Sequence, residues 1–362
     1  MGDVEQPRRR GWMALAGIAA PIAAVAVVAL ISAHGRHQPP AAPAPTGPAD
    51  EMPIVSKAAV AADPRSGALL LVGCCDEASG SPEPASTWLR SGRRWTHLHP
   101  VDRPPFHPGA ALAFDPRTST AVLQGGEDSA DTWTWDGRTW TRLSPPATPP
   151  PGPAVMTGDP VTGALVLLTG SPGADVTAWS WDGRTWTRIP APPASGAFAL
   201  AADPAHGRLV AVAQDGCALD QTATTWTSDG RAWASAPGPP CDASTQVGWD
   251  PVSGSVIAIL LGDTANPIGF SAEPATTWRW SGTTWSRVTT TAAPEETGRL
   301  VSGGAQRPLF VSDRRTAGQP DLWVWAGAGW SPHHAGAGVG VARPLALRSW
   351  DPPDTASMEG DA

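Results

Sequence analysis

A chain of 362 residues, 41% of them hydrophobic, can bury one large core or two ordinary ones, and its formal charge of -8 argues against the clustered positive surface that nucleic-acid binding needs. Gly and Pro are abundant, at 39 and 41, but they punctuate short apolar runs at regular intervals, which speaks against a low-complexity disordered chain and for many tight turns. Four Cys are too few for a disulfide scaffold, and there is no Tyr at all.

Residues 1–10 are polar and end in Arg8-Arg9-Arg10, and the following stretch, 11–33, holds no charged residue. As a helix it would span roughly 34 Å, enough for a hydrocarbon core of about 30 Å. Three arginines before it against Arg36 after it place the N-terminus in the cytoplasm and the rest of the chain outside, a single-pass type II arrangement at the cell membrane. A cleaved signal peptide ending near Ala33 is the alternative; the length of the apolar run favours an uncleaved anchor. Residues 34–55 are rich in Pro and Ala and too poor in large apolar side chains to form a core, so they read as a semi-rigid stalk.

From residue 56 the chain repeats with a period of 44 to 52 residues, the range of propeller blades. Each unit ends in a Trp pair seven residues apart: Trp88/Trp95, Trp133/Trp140, Trp179/Trp186, Trp226/Trp233, Trp278/Trp285 and Trp323/Trp330, with a Gly three residues before the second Trp. Reading Asp136-Gly137 as a two-residue hairpin loop puts Trp133 directly opposite Trp140, so the spacing predicts a cross-strand aromatic pair inside each blade. An Asp-Pro turn recurs upstream at Asp63, Asp115, Asp159, Asp203 and Asp250 and degenerates around residues 303–308. The unit is therefore strand, Asp-Pro turn, strand, loop, strand, Asp-Gly turn, strand, with no helical pattern between strands. The expected fold is all-β: a six-bladed propeller of four-stranded antiparallel blades (about 56–100, 108–145, 153–190, 196–237, 243–290 and 298–333), preceded by one transmembrane helix. Residues 339–350 read as a closing or extra strand and 351–362 as a disordered tail.

Gly125-Gly126 after a second strand, followed by Asp131-Thr132-Trp133 and Trp135-Asp136-Gly137 with Trp140, resembles the kelch-type β-propeller of the galactose oxidase superfamily over roughly residues 56–333. The copper site that this resemblance implies needs tyrosines, which this chain lacks, so the oxidase chemistry is not expected. Ser228-Asp229-Gly230-Arg231-Ala232-Trp233 is similar to a sialidase Asp-box but lacks the residue between Asp and Gly, and the Tyr nucleophile is missing too. Kelch-type domains serve as binding modules, enzymes and scaffolds alike.

In a meander, successive turns alternate between the two ends of a blade. The Asp-Pro and Asp-Gly turns share one face, where each Asp is expected to bond its own turn backbone. The second-to-third loops and the linkers share the other, with long loops over 74–86, 216–224 and 263–275 as the place for a ligand. Cys217 and Cys241 fall on that face as a candidate disulfide worth roughly 3 kcal/mol; the adjacent Cys74-Cys75 could pair with each other, pair with another chain or stay reduced. His97 and His99 follow the first hairpin and His333-His334 the last, and read as solvated loop histidines rather than a metal site. No hydrolase elbow, Walker loop, zincin or dinucleotide pattern is present, and no cofactor is expected. The expected function is a non-enzymatic, extracytoplasmic binding module for a protein or cell-envelope glycan; the alternative is an extracellular enzyme acting on carbohydrate or peptide through loop carboxylates such as Asp76, Glu77, Asp263 and Glu273.

Overall fold

The computed structural model describes residues 56–74, 84–92, 94–171, 174–196, 198–213, 221–242, 244–261, 275–294, 298–303, 306–312 and 322–333. Their strands form six four-stranded antiparallel sheets, each made of four consecutive strands in chain order. Blade two shows the unit: Ala111–Phe114, Ala121–Gln124, Thr132–Trp135 and Trp140–Leu143. The first strands of the six blades are Ser56–Ala62, Ala111–Phe114, Ala154–Gly158, Phe198–Asp203, Thr245–Asp250 and Gly298–Gly303. Each touches the next and the sixth touches the first, so the ring is closed.

The second strands explain why the sequence carries continuous apolar runs rather than an alternating pattern. Leu165–Thr169 and Leu209 to Ala213 are buried along their whole length because a sheet inside the ring is covered on both faces. Leu165 and Leu167 pack toward blade two, with Ala111, Ala113 and Val122, while Leu168 packs toward blade four, with Ala211. Six such clusters occupy the six seams between blades, including the closing one, where Leu69, Leu71 and Trp95 of blade one meet Leu309, Val311 and Leu322 of blade six. The core is thus a set of seams rather than a single centre.

The hairpin register differs from the expected one. Trp133 pairs with Arg142, and Trp140 pairs with Trp135. Likewise Trp88 faces His97, Trp179 faces Arg188, Trp226 faces Ser235, Trp278 faces Arg287 and Trp323 faces Pro332, so the Trp residues seven apart are nowhere directly opposite. The turn is centred on Gly137-Arg138 rather than Asp136-Gly137. Gly137 has φ +98°, whereas Ser119 is the only non-Gly residue with positive φ among the described residues, so only the first central position is left-handed. That is the demand of a type II′ turn. Asp136 stands outside the loop as its clamp: its Oδ1 accepts from the amides of Arg138 (2.8 Å) and Thr139 (2.7 Å), and its Oδ2 from the Thr139 hydroxyl (3.0 Å).

With this register the cross-strand aromatic pairs are Trp135/Trp140, Trp181/Trp186, Trp280/Trp285 and Trp325/Trp330, with ring centroids 5.0 to 5.3 Å apart. In blades one and four the partner position is held by Arg90 and Ser228. The last Trp of a hairpin also reaches across the seam to the preceding blade. Trp140 Nε1 donates to Thr87 Oγ1 (2.9 Å), Trp186 to Thr132 (3.0 Å), Trp285 to Thr225 (2.8 Å) and Trp330 to Thr277 (2.9 Å). Each acceptor is the residue just before the first Trp of its own hairpin. Where that residue is Ala178, Trp233 donates instead to the Pro190 carbonyl at 2.9 Å; where it is Leu322, Trp95 packs against it without such a bond among the described residues. The recurrent Thr-Trp dipeptide is therefore half of an inter-blade staple.

The Asp clamps also set a pH dependence. Burial pushes the Asp136 carboxyl up, but the hydrogen bonds from Thr139 and Arg138 outweigh it and hold the group below its ordinary 3.8. The amides of Thr185 and Arg184 do the same to Asp182, and those of Arg231 and Ala232 to Asp229. A folded value below the unfolded one adds stability that is complete above about pH 4 and lost as pH falls through the folded values. Urea midpoints should stay level down to about pH 4 and decline below it, and Asp136→Asn with Asp182→Asn should make that decline shallower. A decline of unchanged slope in the double variant would assign it to other groups.

The expected span at 11–33, the stalk at 34–55, the strand at 339–350 and the tail at 351–362 lie outside the described residues. Among the described residues no helix is long and apolar enough to cross a membrane.

Candidate functional site

The two faces of the ring are built differently. On the face of the Asp-Pro turns, each Asp caps its own loop as expected: Asp63, Asp115, Asp159, Asp203 and Asp250 accept from the amides of Arg65, Arg117, Val161, His206 and Val252 at 2.8 to 3.3 Å. Side chains from these turns and the neighbouring strand ends then clasp the next blade. Arg65 Nη2 donates to Pro116 O (3.3 Å), Arg117 to Trp181 O, Arg208 Nη1 to Gly282 O (3.5 Å), Arg279 Nη2 to Gly327 O (2.6 Å) and Gln306 Nε2 to Asp63 O (2.9 Å). Among the described residues five of six seams are tied in this way, so these side chains help to hold the ring.

The opposite face opens on the axis of the propeller. A cavity of about 540 Å³ is lined by all six first strands near their starts, by the end of a second strand at Leu168 and Thr169, and by Leu261 just past the end of another. The volume falls within the usual 300–1,000 Å³ of small-ligand sites. The register identifies two rings of wall residues. One ring lies four residues before each Asp of the Asp-Pro turns: Ala59, Ala111, Val155, Ala199, Gln246 and, by position before the degenerate turn, Arg299. The next residue of each strand forms the second ring, which is wholly apolar: Val60, Leu112, Met156, Leu200, Val247 and Leu300.

The first ring is not uniform. Small apolar residues fill it in blades one to four, and Gln246 and Arg299 break the pattern in blades five and six. The Gln246 carboxamide bridges the two first strands, donating to Gly298 O at 2.5 Å and accepting from Leu300 N at 2.6 Å. These are the backbone groups on either side of Arg299, so Gln246 fixes the stretch that carries it. Arg299 is exposed and its Nε donates to Ala58 O at 3.5 Å. It is the one charged residue of the wall, and the wall holds no carboxylate among the described residues.

Of the residues singled out from sequence, Asp76, Glu77, Asp263 and Glu273 lie outside the described residues, as do Cys75, Cys217 and His334. Cys241 is disulfide-bonded, and its amide donates to Gln221 O at 2.9 Å. His97 stacks on Trp88, its cross-strand neighbour, with centroids 4.3 Å apart and planes 9° from parallel, and His99 lies 4.2 Å from His97. Burial, with His99 and Arg103 nearby, pushes the His97 pKa below 6.5. No group of three or more His, Cys, Asp or Glu among the described residues could hold a metal ion. Arg299 and Gln246 escaped the sequence reading, although counting four residues back from each Asp-Pro turn would have exposed them as breaks in a run of small residues.

No protein-family model matches the sequence, and no curated protein matches it. Solved structures do share its fold. The lectin SapL1 in complex with α-methyl fucoside aligns at a TM-score of 0.53 with 16% identity, covering 78% of this chain and 97% of that one. A point mutant of the Aleuria aurantia lectin in complex with Fucα1-6GlcNAc aligns at 0.52 with 13% identity, over 82% and 99%. A fungal alcohol oxidase of the AA5 family, in complex with copper, aligns at 0.48 with 14% identity, over 80% and 67%. At these identities the likeness is one of fold.

Proposed function

We propose that this chain is an extracytoplasmic binding module of the kelch type, held at the membrane by residues 11–33 and the stalk at 34–55, whose open face recognises a cell-envelope glycan or a protein. The observation that carries the reading is the contrast between the faces: one is built of turn caps and blade-to-blade clasps, and the other opens on the axial cavity. The disulfide at Cys241 supports an oxidising compartment, and Cys217 is its proposed partner. Two of the structures with this fold are lectins caught with fucose-containing ligands, which makes glycans the first class to screen.

The test is a glycan array and an envelope-protein pull-down with the full chain, repeated after loops 74–86 and 263–275 are shortened. Shortening should abolish capture, whereas Asp136→Ala on the opposite face should leave it unchanged. Capture that survives shortening would overturn the choice of face.

A further inference from the structure

We propose that the axial cavity is a separate small-molecule site for an organic monocarboxylate with an apolar body, its carboxylate held by Arg299. The wall dictates both halves of that ligand. Blades one to four present apolar groups from two successive positions, among them Val60, Leu112, Met156 and Leu200, and such a surface gains only from covering apolar area. Blades five and six present Ser244, Thr245, Gln246 and Arg299. Apart from Thr169 of blade three, whose hydroxyl is buried, the polar side chains of the wall among the described residues lie on one side of the axis.

Within that polar crescent Arg299 is the charged group, and its fork is left with capacity. Gln246 spends both ends of its carboxamide on Gly298 O and Leu300 N. Arg299 makes a single long bond through Nε among the described residues, leaving both Nη atoms of a planar fork that matches a carboxylate. The bridge from Gln246 holds the Arg299 backbone, so the fork is supported at its base. One cation without a second beside it among the described residues of the wall suits a monoanion better than a phosphate dianion, and apolar walls strengthen its pull on that anion.

The site shares the open face with the proposed function but does not depend on the long loops. Its test is titration calorimetry on the full chain in phospholipid nanodiscs, with empty nanodiscs subtracted, using naphthoate, phenylbutanoate and octanoate beside the alcohols of the same carbon skeleton. At least one acid should bind, its alcohol about tenfold or more weaker. Arg299→Gln should bring the acid down to the level of the alcohol and leave the alcohol unchanged, Arg299→Lys should retain part of the difference, and Met156→Trp should remove both ligands by filling the cavity. If Arg299→Gln fails to fold, the acid-to-alcohol ratio and Arg299→Lys still decide. Absence of binding by all three acids, equal binding of acid and alcohol, or an acid indifferent to Arg299→Gln would overturn the inference. Shortening loops 74–86 and 263–275 should leave acid binding in place, so loss of glycan or protein capture with acid binding intact counts against the proposed function alone, and the reverse counts against this site alone.

Discussion

Trp325→Ala should lower the unfolding free energy by about 3–5 kcal/mol, the range for removing a fully buried aromatic. Trp325 is 0% exposed and lies at the seam between blades five and six. Its ring sits 5.2 Å from that of Trp330, and its Nε1 donates at 2.9 Å to Oδ2 of Asp250 in blade five. Asp250 is also 0% exposed, and the same oxygen accepts from the Ser253 hydroxyl at 2.7 Å and its amide at 3.3 Å. Losing the indole leaves a cavity and removes one donor from a buried carboxylate, so packing and hydrogen bonding fail together. Trp325→Phe separates them, since it keeps most of the apolar area and removes the donor; about 1.5–3 kcal/mol is expected for a bond to a charged acceptor. Urea unfolding read by far-UV circular dichroism measures both. A cost under about 1 kcal/mol for the alanine variant would mean that the seam relaxes around the missing ring.

The repeat was legible in the sequence because its parts are local. The Asp-Pro turn, the Asp-Gly turn and the apolar second strand each follow from residues within a few positions of one another, and four strands per blade follow from their order. The hairpin register was not legible, because Trp135-Asp136-Gly137-Arg138 accepts either Asp136-Gly137 or Gly137-Arg138 as the central pair. What decides is the clamp of Asp136 on Thr139 and the seating of Trp140 on Thr87, and the latter contact lies in another blade. A one-position shift of the turn re-pairs every residue of the hairpin, and so a staple between blades reads as a pair within one. The axial cavity was hidden for a related reason. Ala59, Ala111, Val155, Ala199, Gln246 and Arg299 are scattered along the chain and become a ring only once the blades are superposed by register. The long loops at 74–86, 216–224 and 263–275 carry no periodic pattern that could place their side chains.

The second large effect is expected at the paired glycines of blade two. Gly126 has φ +119°, and a Cβ built there would meet His107 Cβ at 2.4 Å, His107 O at 3.0 Å and Pro108 O at 3.1 Å. Gly126→Ala therefore carries two penalties: about 1–3 kcal/mol for placing a side chain in that backbone region, and about 1–3 kcal/mol for overpacking. Gly137→Ala is the control, because Gly137 has φ +98° but nothing within 4 Å of a built Cβ, so it should show only the backbone penalty. The difference between the two midpoints, scaled by a common urea slope, measures the clash. The reason for the close approach is visible in the backbone bonds. Gly126 O accepts from Gly152 N at 2.9 Å, and Pro108 O accepts from Glu127 N at 2.9 Å, so the loop of blade two docks both on the linker into blade three and on the segment that enters its own blade. Pro153 and Ala154, which follow Gly152 at the start of blade three, line the axial cavity. A Cβ at position 126 should thus push on the cavity wall as well as on His107, and Gly126→Ala should weaken carboxylate binding at Arg299 while Gly137→Ala leaves it intact. Equal destabilisation by the two substitutions would mean that His107 moves aside freely and that the glycine is required for its backbone conformation alone.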